Sequence, residues 1–337
     1  MKTCKCCFSR SFLIAGILLI GFIKLFSQSH SPALQLDTFI NNKLQSLHIP
    51  GLSLAVVEEG KIIYTKGYGL ANLENQTPAR PETNFLIASV TKSFTATAIM
   101  MLWEEGKFSL EDSIGQYLED LPAHWNPLTI RQLLNHTSGV PYNIEPKPPC
   151  QFEFDCNHYT LKNYLQEVAC LPLNFPPGTE WRYSGTAGYT LLGMLIEKLS
   201  GKTYWEFLDV RIFSPLGMNE TGPIDYTKLI TNRASGYNFE NGEFLNSEQL
   251  DPVGEFASGG LMSTVLDLAK WDAALYTEKL LKRSTLELMW DECPPQRLQP
   301  SFPPMVLAFG LTPYLDQRRV GHTVAHRVSP VPSPVSH

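Results

Sequence analysis

The sequence is short of charge and of cysteine. Asp, Glu, Lys and Arg make up 18% of its 337 residues against 43% apolar ones, a balance that excludes a mainly disordered chain. Gly 23 and Pro 25 are too few for a collagen-like polymer. Beyond residue 30 the only cysteines are Cys150, Cys156, Cys170 and Cys293, which excludes a small disulfide scaffold. In that body neither Cys-x-x-Cys nor His-Glu-x-x-His occurs, so no zinc motif is present. An excess of basic residues is also lacking. The formal charge is −6 although the first 30 residues add Lys2, Lys5, Arg10 and Lys24 and no acid, and such an acidic body repels nucleic acid. What remains is a globular chain of enzyme size, long enough for two domains or for one large domain with an insertion.

Residues 1–30 read as an address. Lys2, Lys5 and Arg10 precede an apolar run from Phe12 to Ile23, the layout of a secretory signal with a basic start and a short apolar core. Even extended to Phe26 past Lys24, the run falls short of the about 20 apolar residues that span a bilayer. Ser27 and Ser29 offer small side chains at the positions a signal peptidase reads. The expected location is therefore periplasmic or extracellular, with an uncleaved N-terminal membrane anchor as the alternative. Four body cysteines in an exported chain permit disulfides in three possible pairings.

The body has helical spacing over Ser31–Leu47, ended by Pro50-Gly51. Leu52–Val57 and Ile62–Tyr68 read as two strands of a hairpin turned at Glu58-Glu59-Gly60-Lys61. A polar loop over Asn72–Asn84 leads to a helical segment from Ser89 to Glu105, stopped at Gly106. Helical spacing returns over Leu128–Leu134, Leu161–Val168, Thr186–Leu199, Tyr204–Ile212 and Val265–Leu275, the last with Ser263-Thr264 and Asp267 as a capping signal. Val306–Leu311 and Arg319–Thr323 look extended. Strands at both ends with helices between predict an α+β sheet domain interrupted by a helical one. The expected boundaries are sheet parts at about 31–88 and 255–323, a mainly helical part at about 106–250, and an atypical Ser/Pro-rich tail at 324–337.

Ser89-Val90-Thr91-Lys92 is the leading chemical candidate. On a helix, residues three apart share a face, so the Lys92 amine can lie beside the Ser89 hydroxyl at a first turn where partial positive charge collects. A serine hydroxyl is a weak nucleophile until a base removes its proton, and a desolvated neutral lysine or a tyrosinate can do that. Ser-x-x-Lys alone is a short pattern that chance supplies in many chains. Tyr183-Ser184-Gly185, after Phe175-Pro176-Pro177-Gly178, adds a tyrosine on a turn that can project into a cleft.

Together these segments resemble the serine β-lactamase and penicillin-binding-protein superfamily, and most closely its class C-like branch of β-lactamases, D-alanyl-D-alanine carboxypeptidases, D-aminopeptidases and esterases. The resemblance extends to Leu133-Leu134-Asn135-His136-Thr137-Ser138-Gly139, Gly188-Tyr189, Pro215-Leu216-Gly217-Met218 and Ser258-Gly259-Gly260-Leu261-Met262-Ser263-Thr264. It covers residues 33 to 323 in order. It implies a β-lactamase/transpeptidase-like fold, an antiparallel sheet flanked by helices with a helical insertion. It implies Ser89 as acylated nucleophile, Lys92 and Tyr183 sharing the proton transfers, and the Ser89 N–H as half of an oxyanion hole. No metal or cofactor is needed, and the expected partner is a peptidoglycan-like peptide, a β-lactam or an ester.

Two positions depart from the family pattern. Gly185 stands where the family usually has the asparagine of Tyr-x-Asn, whose amide touches both lysine and substrate. His322-Thr323 matches the start of a cleft-lining strand, but Val324 follows where the family has glycine, and a branched side chain obstructs close approach there. Gly185, His322 and Thr323 are therefore the expected substrate-binding positions. The chain after Thr323 reads as a truncated or frame-shifted end that lacks the family's last strands and helix. The expected activity is a serine hydrolase opening an amide or ester bond. The alternative is an impaired member that binds cell-wall peptides or a protein. His136 is expected to be a structural hydrogen-bonding residue, Asp267 a helix cap, Asp251 and Asp272 surface groups, and Trp103, Trp181, Trp205, Trp271 and Trp290 packing residues.

Overall fold

The structure, a computed structural model, describes residues 32–141, 160–290, 305–306, 309–314 and 317–321. The leader at 1–30, Cys150, Cys156, Cys293, His322, Thr323 and the tail at 324–337 lie outside the described residues. The chain divides into two units, one of Met1–Leu52 with Tyr68–Ala79, the other of Ser53–Gly67 with Arg80–His337.

In the first unit the Pro32–Ser46 helix turns Leu36, Ile40 and Leu44 inward at a four-residue spacing, while Leu34, Phe39 and Leu47 are exposed. The Tyr68 hydroxyl donates to Asp37 Oδ1 at 2.7 Å and fastens the helix to the strand. The expected hairpin is present as strands Gly51–Glu58 and Lys61–Asn72, of which residues 53–67 belong to the second unit. The second strand runs further than its apolar pattern suggests, because Leu70 and Asn72 pair with a short strand, Thr77–Pro78, inside the segment expected to be a polar loop.

The second unit is built around two helices, Thr91–Glu104 and Ala187–Ser200. Residues 91–102 are all buried, as expected of a helix that packs on every side. Phe94 stacks on Trp271 with centroids 4.1 Å apart and meets Phe213 edge-on at 5.7 Å. Ahead of the first helix, strand Phe85–Leu86 pairs with Leu261–Ser263, and Gly222–Pro223 pairs on the other side of the same strand. The three form a small antiparallel sheet. Gly201 and Gly106 close their helices as expected. Thr264 caps the Val265–Leu275 helix by accepting from the Asp267 N–H at 3.2 Å.

Some expectations need correction. Tyr204–Ile212 is not one α-helix: Tyr204–Leu208 passes into a π-helical turn, Asp209–Phe213. The late strands are Met305–Val306, Phe309–Tyr314 and Gln317–Gly321, the last two paired antiparallel. A hairpin of Tyr237–Glu240 and Glu243–Asn246 around Asn241-Gly242 was not expected, although Asn-Gly is a strong hairpin signal. Helices Pro252–Gly259 and Arg283–Trp290 were also missed. Both are only eight residues long, too short for a clear helical period, and the first also contains two glycines.

Candidate active site

Ser89 sits where a strand turns into a helix. Ile87 N–H donates to the Leu261 carbonyl at 3.0 Å, which ends the sheet pairing, and Ala88 then takes φ 41. A non-glycine residue there is strained, a feature that collects at functional sites when the surroundings over-determine it. Ala88–Val90 form a 3₁₀ turn and the long helix begins at Thr91. The Ser89 side chain is thus presented, half-buried, at the helix N-terminus.

Lys92 is 2% exposed. Its Nζ donates to Ser89 Oγ at 3.3 Å and to the carbonyl of Ser258 at 2.9 Å. It also lies 5.1 Å from the ring centre of Tyr183 and 5.5 Å from that of Tyr189, within cation–π range. Burial is the larger influence on this amine and pulls it from the usual lysine range down to about 7, while the Glu255 charge pushes the other way. Near neutrality a large fraction of Lys92 is therefore uncharged, and a neutral amine 3.3 Å from the Ser89 hydroxyl is within reach of its proton.

The docking of the Pro252–Gly259 helix creates this environment. Thr95 Oγ1, one turn after Lys92, donates to the Ala257 carbonyl at 2.6 Å and lies 2.6 Å from the Tyr204 hydroxyl. The Leu261 N–H donates to Thr91 Oγ1 at 3.2 Å. One face of the central helix, Thr91, Lys92 and Thr95, therefore meets successive backbone groups of residues 257–261. Asp251 caps the docked helix by accepting from Val253 and Gly254 N–H at 3.0 and 2.9 Å.

Tyr183 comes from a distant loop that His136 holds. The backbone N–H of Ser184 donates to His136 Nδ1 at 3.2 Å, and Ser184 Oγ lies 2.9 Å from the same nitrogen. An Nδ1 that accepts a backbone N–H carries no proton, which fixes the neutral imidazole as the Nε2–H tautomer. The His136 ring lies 4.7 Å from that of Tyr183 and 5.3 Å from that of Tyr189, and the Tyr189 hydroxyl donates to the Leu134 carbonyl at 2.9 Å. His136 is thus a buried brace, as its loop position suggests. Gly185 is buried and takes φ 55, the left-handed region that glycine and asparagine enter most readily.

Ser89, Lys92 and Tyr183 therefore share one neighbourhood. Asp251, Asp267 and Asp272 do not form a triad there. Asp267 is buried and accepts from Glu220 N–H at 2.8 Å and Lys270 at 2.8 Å. Asp272 is not a plain surface group: burial raises its carboxyl and Tyr276 hydrogen-bonds to it. Glu255 has no place in the sequence reading, and Ser258 stands there only as the first residue of the Ser258–Thr264 segment, without a role. Burial raises the Glu255 carboxyl, the Lys92 charge lowers it, and Asp251 adds a raising influence. Cys170 is disulfide-bonded. Among the described residues no group of three or more His, Cys, Asp or Glu side chains could hold a metal ion, and no helix is long and apolar enough to cross a membrane.

Comparison with known proteins places this geometry in context. Protein flp of Staphylococcus aureus (strain COL) is 30% identical over 241 residues, which cover 70% of this chain and 47% of that protein. The chain spans about half the length of the curated relatives it matches. The octameric penicillin-binding protein homologue from Pyrococcus abyssi superposes with TM-score 0.74 at 31% identity, over 87% of this chain and 68% of that one. The D-amino acid amidase from Ochrobactrum anthropi SV3, complexed with L-phenylalanine amide, superposes with TM-score 0.69 at 29% identity, over 83% and 81%. The β-lactamase/transpeptidase-like fold expected from the sequence is therefore the fold observed. Residues 36–327 match the family model described as Beta-lactamase, and the chain belongs to that family.

Proposed function

We propose that the protein is a serine hydrolase that opens an amide or ester bond through an acyl-enzyme on Ser89. The observation that carries the reading is the 3.3 Å separation of Lys92 Nζ and Ser89 Oγ, with the lysine buried and titrating at about 7. Neutral Lys92 takes the hydroxyl proton as Ser89 Oγ bonds to the substrate carbonyl carbon. The oxyanion forms against the Ser89 N–H at the helix start. Tyr183, beside the same amine, shares the proton transfers and returns a proton to the departing amine or alcohol. Water then attacks the acyl-enzyme, the Ser89–acyl bond breaks, and the serine recovers its proton. No step requires a metal or cofactor.

Substrates with an amide next to an amino acid are favoured, in keeping with the penicillin-binding-protein homologue and the D-amino acid amidase among the superposed structures. The basic and apolar leader supports action outside the cytoplasm. A reading as a non-turning-over binder draws on Gly185, which brings no amide to Lys92 or the substrate. A fluorophosphonate probe separates the outcomes. Labelling of the parent chain that is lost in Ser89→Ala supports the hydrolase. Equal labelling of both, or of neither, contradicts it.

A further inference from the structure

The proposed reaction leaves one acidic group beside the nucleophile without a role. Glu255 lies on the turn that supplies the Ser258 carbonyl to Lys92, and its own backbone carbonyl accepts from Ser258 Oγ at 2.9 Å. Its side chain is half-buried. The carboxylate is seated in the space above Gly259: a Cβ at 259 would overlap Glu255 Oε2, and would lie 3.7 Å from the carbonyl carbon of Ala88, the residue before the nucleophile. The missing side chain at 259 is therefore what admits the carboxylate to the floor of the site.

We propose that Glu255 is a positioning residue for the reaction, its carboxylate being the counter-charge that holds the Lys92 amine against the Ser258 carbonyl and sets the acidity at which Lys92 can take the Ser89 proton. This rests on the acyl-enzyme reading above. A buried ammonium with one carbonyl, one hydroxyl and two aromatic faces around it has no full negative charge among those partners, and an opposite charge nearby is the usual remedy. The electrostatic coupling of the two groups agrees with the packing. The other titratable groups facing the pair are Asp251 at the same helix start, Tyr164 with Glu167 on the Leu161–Ala169 helix, and Tyr183, Tyr189 and His136 on the lysine side. Of the acids, Glu255 is the one that acts on the Lys92 amine.

The test is the pH profile of Ser89 acylation by an activated ester, followed by intact-protein mass. Removing the negative charge in Glu255→Gln lowers the lysine further. The acid limb therefore moves to lower pH by about one unit, and below that limb the variant acylates up to about tenfold faster than the parent. Gly259→Ala provides a second variant that keeps the charge but displaces it, and its limb moves the same way, whereas Glu255→Asp keeps it near the parent position. A shared acid limb in the parent, Glu255→Gln and Gly259→Ala, with all three acylating, overturns the role of Glu255 alone. Absence of acylation in the parent overturns the Ser89 reading and this one with it.

Discussion

The carbonyl oxygen of Ser258 accepts a 2.9 Å hydrogen bond from Lys92 Nζ, although 166 residues separate them in the chain. That contact locks the amine into the dry space between two helices, and the same burial that holds it also drains its charge. Stability and reactivity are thereby coupled at one side chain.

The coupling has a measurable sign. Lys92 titrates at about 7 in the folded chain and near 10.4 when unfolded. Between those values the unfolded chain binds more protons, so this residue's unfavourable contribution fades as pH rises and is fully present below 7. Urea unfolding of the parent and of Lys92→Met at pH 7 and pH 9.5 is expected to show the parent gaining on the variant by about 3 kcal/mol. A difference that stays flat over that range contradicts the burial argument.

Tyr183→Phe separates chemistry from packing. The ring keeps its place 4.7 Å from His136 and beside Lys92, so thermal unfolding should shift by only a few degrees. Loss of the phenol should lower kcat/KM by roughly 10²–10⁴ if it carries a proton in the reaction. An unchanged rate removes Tyr183 from the mechanism.

At Gly185 the backbone makes a prediction of its own. With φ at 55, Gly185→Asn should cost less than about 1 kcal/mol, because asparagine tolerates the left-handed region, while Gly185→Val should cost roughly 1–2 kcal/mol or more. By the family resemblance, an amide at this position should also raise amide turnover. Equal destabilisation by both substitutions in urea, with no gain in rate for asparagine, counts against this account of the position.

The Thr95 anchor can be tested without touching the nucleophile. Thr95→Val keeps the shape but leaves the Ala257 carbonyl and the Tyr204 hydroxyl without their 2.6 Å partner. The expected loss is about 1–3 kcal/mol in chemical unfolding. A neutral result means the two helices dock without that bond.

How much of this was legible in advance depends on chain distance. Ser89 and Lys92 lie one turn apart, so helical spacing alone brings them together. The Thr264 cap and the Gly201 stop are equally local, and both appear where expected. Tyr183 required the family resemblance, because nothing in its own segment states that it meets Lys92. The roles of Ser258 and Glu255 were out of reach: their helix contains Gly254 and Gly259, has non-helical backbone at Phe256, and gains its meaning only by docking on Thr91, Lys92 and Thr95. The hairpin around Asn241-Gly242 is equally local, since its turn pair is itself a hairpin signal. The π-helical turn after Leu208 carries the same apolar spacing as a helix, so the pattern could not distinguish it.

The most direct test is the intact mass of the parent chain and of Ser89→Ala after incubation with an activated ester and with a β-lactam, followed by peptide mapping. The account predicts an added acyl mass on the peptide containing Ser89 in the parent and none in the variant. An adduct that persists in Ser89→Ala, or that maps to another residue, would contradict it.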